Sequence, residues 1–227
     1  VDKKVKGNVE RLLYDNYRVR TSGKSQALNI YQNNNGGFEG GRQHDPIYNN
    51  KNVRRQIYTF GCSWTYGWDI EQTQTFTHLL GDENTAVHNY GAGGTGLDFA
   101  VKTLSEVYIP ESRRQIFIIT MPHYFRRTWF DDDGVVLRAW QVKELVNINE
   151  YNNYYHFLHQ YNILNSFVGK NKIIWGTWDK DLPDEHFDIF FERIDHTDDG
   201  LHPGPKSHKQ YADKLKEIIK ERYESNG

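Results

Sequence analysis

A chain of 227 residues is long enough for one sizeable core, and a composition 37% hydrophobic and 15% aromatic argues for a folded domain over a disordered segment. The formal charge of −2 is close to balanced and no long Lys/Arg block occurs, so neither a nucleic-acid backbone nor an anionic membrane surface is an expected partner. No apolar run approaches the roughly 18 to 20 residues that span a bilayer, the charged start from Val1 to Lys6 has no apolar stretch of a signal peptide behind it, and Cys62, the one cysteine, excludes an internal disulfide and a cysteine zinc cage. The expectation is a soluble protein, cytoplasmic or virion-associated, without a cofactor.

In chain order, Val5 to Tyr17 predicts a short helix with Val9, Leu12 and Leu13 on one side. Arg18 to Asn52 is rich in Asn, Gly and Gln, which favours turns and loop, so residues 1–52 are read as an extension and residues 53–227 as the main domain. From Val53 onward short apolar runs alternate with amphipathic stretches, the pattern of βαβ units around a parallel sheet. Strands are predicted over Gln56 to Phe60 and Thr85 to Asn89, then a helix over Leu97 to Val107. Gln115 to Thr120, an uninterrupted run of mostly β-branched and aromatic residues, predicts the central strand. Asp131-Asp132-Asp133-Gly134 signals a turn; it lacks the alternating ligands and terminal Glu of a calcium loop. Val142 to Phe167 reads as one long or two broken helices, Lys172 to Trp175 as a fourth strand and Phe187 to Phe191 as a fifth. A last helix starts with Pro205 at its first position and runs to about Tyr223, with Tyr211, Leu215, Ile218 and Ile219 as its apolar stripe.

Three segments carry the chemistry. Gly61-Cys62-Ser63 lies at the carboxyl end of the first predicted strand, where open α/β sheets place their sites, and puts the Ser63 hydroxyl at the sheet edge. Asp199-Gly200-Leu201-His202 precedes the last helix; in a loop, that spacing lets the carboxylate hold imidazole Nδ1 and leave Nε2 free to take a proton. Asn89-Tyr90-Gly91-Ala92-Gly93-Gly94 after the second strand is a glycine-rich turn whose N–H groups approach a ligand closely; its spacing and position do not fit a dinucleotide fingerprint. Taken singly, each has a bland reading: a helix-capping serine, a turn aspartate with a solvated histidine, an ordinary tight turn.

In this order the three segments resemble the SGNH/GDSL hydrolase family, and the resemblance runs from about Gln56 to Tyr223. It implies a three-layer α/β/α flavodoxin-like fold with a mainly parallel five-stranded sheet. Ser63 takes the nucleophile position, with Cys62 where the family has Asp; His202 takes the base and Asp199 the acid, and N–H groups of Ser63 and Gly94 form the oxyanion hole. The implied activity is hydrolysis of a small acyl ester, acetyl for example, on a glycan or small molecule. The alternatives are acyl transfer to a glycan, or a catalytically silent binding or structural module such as one of a virus particle. The family's third block, Gly-x-Asn-Asp, falls near Thr120-Met121-Pro122-His123 and its Asn is absent, a loss worth about 2.7 to 4 kcal/mol of transition-state stabilisation unless His123, Tyr124 or Arg126 compensates. Phage-encoded members are similar in reading Gly-Cys-Ser-aromatic-Thr-Tyr-Gly.

Other residues invite competing readings. Cys62 is expected to face the packing if Ser63 faces the site, because neighbours leaving a strand point to opposite sides. A metal site from Asp195, His196, His202 and His208 is disfavoured, since Asp199 already accounts for His202. Trp64, Trp68, Trp129, Trp175 and Trp178 follow or end predicted strands, where packing is the more common fate and a sugar-stacking face the rarer one. Trp64, His123, Tyr124 and Arg126 are the candidate substrate contacts, Arg126 and Arg127 toward an anionic group.

Overall fold

The computed structural model describes residues 53–108, 115–124, 126–130, 136–138 and 150–223. The expected helix from Val5 to Tyr17, the remainder of the extension, the Asp131-to-Gly134 turn and the start of the Val142-to-Phe167 segment lie outside the described residues. The elements in chain order are β1 (Arg55–Gly61), α1 (Ser63–Tyr66), α2 (Phe76–Leu79), β2 (Thr85–Gly91), α3 (Leu97–Val107), β3 (Gln115–Met121), β4 (Thr128–Phe130), β5 (Val136–Arg138), α4 (Glu150–Leu164), β6 (Ile173–Thr177), β7 (Ile189–Phe190) and α5 (Pro205–Tyr223). No helix among the described residues is long and apolar enough to cross a membrane.

Five strands form one all-parallel sheet in the order β2-β1-β3-β6-β7. Every residue of β3 is buried because the strand is central and both sheet faces are covered, which is why its sequence is a continuous apolar run instead of an alternation. Side chains divide by parity. Tyr58, Phe60, Phe117, Ile119 and Trp175 meet Leu97, Ala100 and Leu104 of α3 and Phe157, Tyr161 and Leu164 of α4. Ile57, Val87, Ile116, Ile118 and Ile174 meet Phe76 of α2 and Tyr211, Ala212, Leu215 and Ile219 of α5. The result is a three-layer α/β/α arrangement with flavodoxin-like strand order. Its topological switch lies between β1 and β3, so the crevice outside their carboxyl ends is the natural place for a site.

Several boundaries depart from the sequence expectation. β2 extends beyond Asn89 because Gly61 pairs with Gly91 at its end. The fifth strand shrinks to Ile189–Phe190. Asp188 replaces the ladder there, its N–H donating to the Trp175 carbonyl at 2.7 Å and its carboxylate accepting from the Trp175 N–H at 2.8 Å, while Arg222 pairs with that carboxylate. β4 and β5, an antiparallel pair in which Phe130 faces Val136, were not expected from the sequence at all. The helix expected to reach Phe167 ends at Leu164 and gives way to a π-helical turn over Asn165–Gly169, closed by Gly169 at φ 93°.

Candidate active site

The first glycine-serine segment folds as a sharp exit from β1. Gly61 has no room for a side chain: a Cβ there would stand 2.2 Å from Thr65 Oγ1 and 2.6 Å from the Thr120 carbonyl. Cys62 continues in extended conformation and caps α1, the Tyr66 N–H donating to the Cys62 carbonyl at 3.0 Å. Gly67, left-handed at φ 75°, ends this single turn. Ser63 thus occupies the first helical position with 8% exposure, while Cys62 is fully buried.

A four-residue helix has little intrinsic stability, and the second glycine-rich segment supplies its seat. The Asn89 carboxamide donates to the Thr65 carbonyl at 3.0 Å and to Thr77 Oγ1 at 3.1 Å, and accepts from the Gly91 N–H at 2.9 Å. A Cβ on Gly91 would come within 2.3 Å of the Tyr66 nitrogen, so only glycine admits α1 there. The turn beyond is pinned by the Ala92 N–H on the Gly61 carbonyl and the Thr95 hydroxyl on the Ala92 carbonyl, with Gly94 left-handed at φ 76°. Gly93 passes close to Ser63, a Cβ there falling 3.8 Å from Ser63 Cβ.

The third segment comes from the opposite end of the domain. The Thr197 N–H donates to the His202 carbonyl at 3.0 Å and the Gly200 N–H to the Thr197 carbonyl at 3.0 Å, closing a loop through Gly200 at φ 67°. Asp199 Oδ1 accepts from the Thr197 hydroxyl at 2.7 Å, the Leu201 N–H at 2.8 Å and the His202 N–H at 3.0 Å. Its Oδ2 lies 2.5 Å from His202 Nδ1, and His202 Nε2 lies 2.9 Å from Ser63 Oγ. Partial burial raises the Asp199 carboxyl, but the Thr197 hydroxyl, the Leu201 N–H and the His202 imidazole outweigh it and hold the group well below the usual carboxylate range. A fixed anion on Nδ1 selects the tautomer whose Nε2 lone pair faces the Ser63 hydroxyl.

No family model matches the chain, and no curated protein matches it by sequence. Among solved structures it is similar to a lipolytic protein of the G-D-S-L family from Veillonella parvula, at 13% identity and a TM-score of 0.47, covering 73% of this chain and 98% of that one. It is also similar to the psychrotrophic esterase EstA from Pseudoalteromonas sp., at 11% identity and a TM-score of 0.47, covering 74% and 97% respectively. A carbohydrate esterase is similar at 15% identity and a TM-score of 0.45, covering 75% of this chain and 70% of that chain. The strand order and the two helix-covered faces give the chain a three-layer α/β/α, flavodoxin-like fold.

His123, one of the candidate substrate contacts, stands just past β3. Its Nδ1 lies 3.0 Å from Asp179 Oδ2, and its ring meets the Trp178 edge with centroids 4.2 Å apart. Asp179 follows β6 and went unnoticed in the sequence. It is 1% exposed and accepts from the N–H groups of Tyr124 and Asp181 at 3.2 and 3.1 Å. Burial raises this carboxyl too, but His123 and the two N–H donors lower it further. Among the other candidates, the Tyr124 and Tyr154 rings meet at a right angle, and Arg126 lies over the Trp178 ring at 5.2 Å. Trp64 stacks on Trp178 at 4.6 Å and abuts Phe191, so most of that indole is packing. Asp195 caps α5 through Ser207 and Lys206, and His208 is buried, its Nδ1 accepting from the Phe76 N–H at 3.1 Å.

Asp179, Asp195 and Asp199 all ionise more readily folded than unfolded. Their stabilisation is complete above the unfolded value of about 3.9 and is lost as pH falls through the lower folded values. The melting temperature is therefore expected to drop below about pH 4, followed by circular dichroism between neutral and acidic pH. Asp199→Asn should flatten the drop, and an equally steep fall in that variant would contradict the assignment.

Proposed function

We propose that the chain is a serine esterase acting on short acyl esters, acetyl esters foremost. The observation that carries this reading is the continuous contact from Asp199 through His202 to Ser63 Oγ. His202 Nε2 takes the hydroxyl proton as Ser63 Oγ attacks the ester carbonyl, and Asp199 stabilises the imidazolium that forms. The carbonyl oxygen becomes an oxyanion held by the N–H groups of Ser63 and Gly94. Collapse of this intermediate breaks the bond to the alcohol, which leaves with the proton from His202. Water then gives a proton to His202 and its oxygen to the acyl carbon; the bond from that carbon to Ser63 Oγ breaks, His202 returns the proton to Oγ, and the acid leaves. The His202 and Asp199 side chains remain 18% and 29% exposed, so the reacting centre sits at an open sheet edge, which suits a small acyl group carried on a bulky alcohol.

The missing third-block Asn favours one second reading, a binding module that retains the fold without turnover. Hydrolysis of acetylated sugars by the wild type and Ser63→Ala separates the two. The esterase reading expects turnover that disappears in the variant. A folded but inert wild type would favour the module, and turnover surviving in Ser63→Ala would refute Ser63 as nucleophile.

A further inference from the structure

Proton transfer from His202 Nε2 to the leaving oxygen requires the two to lie within about 3 Å of each other. The alcohol half of the ester therefore lies beside the imidazole. Trp68 occupies that flank: its ring centroid is 6.1 Å from that of His202. Gly93 lies between Ser63 and the indole, since a Cβ there would stand 3.8 Å from Ser63 Cβ and 3.8 Å from Trp68 Cε3 and Cζ3. The Trp68 N–H donates to the Ser63 carbonyl at 3.1 Å, which ties the indole's backbone to the nucleophile turn.

Among the described tryptophans, exposure sets this ring apart. Trp175 is 2% exposed with its Nε1–H on Asn165, and Trp64 and Trp178 stack on each other, whereas Trp68 keeps 36% of its surface open. The residues after it are the exposed Asp69, the half-buried Ile70 and the exposed Glu71. An exposed indole face beside the imidazole matches a pyranose, which offers C–H groups on one face and hydroxyls around its rim.

We propose that Trp68 is the stacking platform for the alcohol half of the ester and that this half is a pyranose ring. The inference rests on the esterase reading for the orientation of the ester, but its test does not depend on turnover. The full chain carrying Ser63→Ala is titrated with methyl glucoside acetylated on its primary hydroxyl and, separately, with glycerol monoacetate, binding being followed by nuclear magnetic resonance. Adding Trp68→Ala is expected to weaken binding of the glucoside ester about tenfold, the order one ring stack supplies, and Trp68→Phe to retain it within about threefold. The glycerol ester, which has no ring, should lose less than about twofold in either variant. Equal binding of the glucoside ester with and without the indole overturns the proposal, as does an equal loss for both esters, which would mark Trp68 as structural. Absence of hydrolysis by the wild type would defeat the esterase reading alone, leaving the titration to decide the platform.

Discussion

His202→Ala is expected to lower ester turnover by about a million-fold, the loss that follows removal of the base from a serine hydrolase relay. Without Nε2 the Ser63 hydroxyl keeps its proton and the leaving oxygen has no acid. Asp199→Asn is expected to cost less, about ten-thousandfold, because the imidazole and hydroxyl persist while the amide favours the wrong tautomer and no longer stabilises the imidazolium. The two effects will not add. A Ser63→Ala/His202→Ala double variant should be no slower than either single variant, since each already disables the same step. Steady-state kinetics on an acetyl ester give all four values, and a double variant markedly slower than both singles would mean that the residues act separately.

Gly91→Ala is expected to destabilise the fold strongly at the site. The new Cβ would stand 2.3 Å from the Tyr66 nitrogen and 2.7 Å from the Thr65 carbonyl carbon, both backbone atoms of α1. A flexible side chain could swing away; a helix seated on Asn89 cannot. The cost belongs at or above the upper end of the about 1 to 3 kcal/mol that overpacking commonly brings. Urea denaturation of the variant should show a lowered midpoint, and any variant that does fold should lose esterase activity because α1 carries Ser63. A midpoint equal to that of the wild type would mean that α1 is not held as tightly as its contacts imply.

The sequence disclosed the parts whose cause is local. α3 and α5 run over the expected residues because their apolar spacing and, for α5, Pro205 at the first position mark them directly. β3 was legible because burial on both faces leaves no polar residue to interrupt Ile116 through Ile119. The three site segments were legible because tight exits from strands demand glycine and an Asp-x-x-His loop spacing suits a paired imidazole. What escaped notice depends on distant contacts. α1 exists as a helix because Gly61, Gly91 and Asn89 make a seat for it, not because Ser-Trp-Thr-Tyr favours helix. Asp179 meets His123 because β3 and β6 end side by side, with Met121 opposite Thr177. The retreat of β7 to two residues reflects Asp188 taking over the hydrogen bonds that a longer strand would supply. Nor does spacing reveal which indole faces outward; Trp64 and Trp68 are four residues apart, yet one is packed and the other open.

The most direct test of the Asp199–His202–Ser63 relay is labelling of the intact protein with a fluorophosphonate, in which an activated serine oxygen displaces fluoride from phosphorus. Peptide mapping by mass spectrometry should find one adduct, on Ser63, and none in the His202→Ala variant. A folded wild type that takes no label, or an adduct on a different residue, would contradict the account.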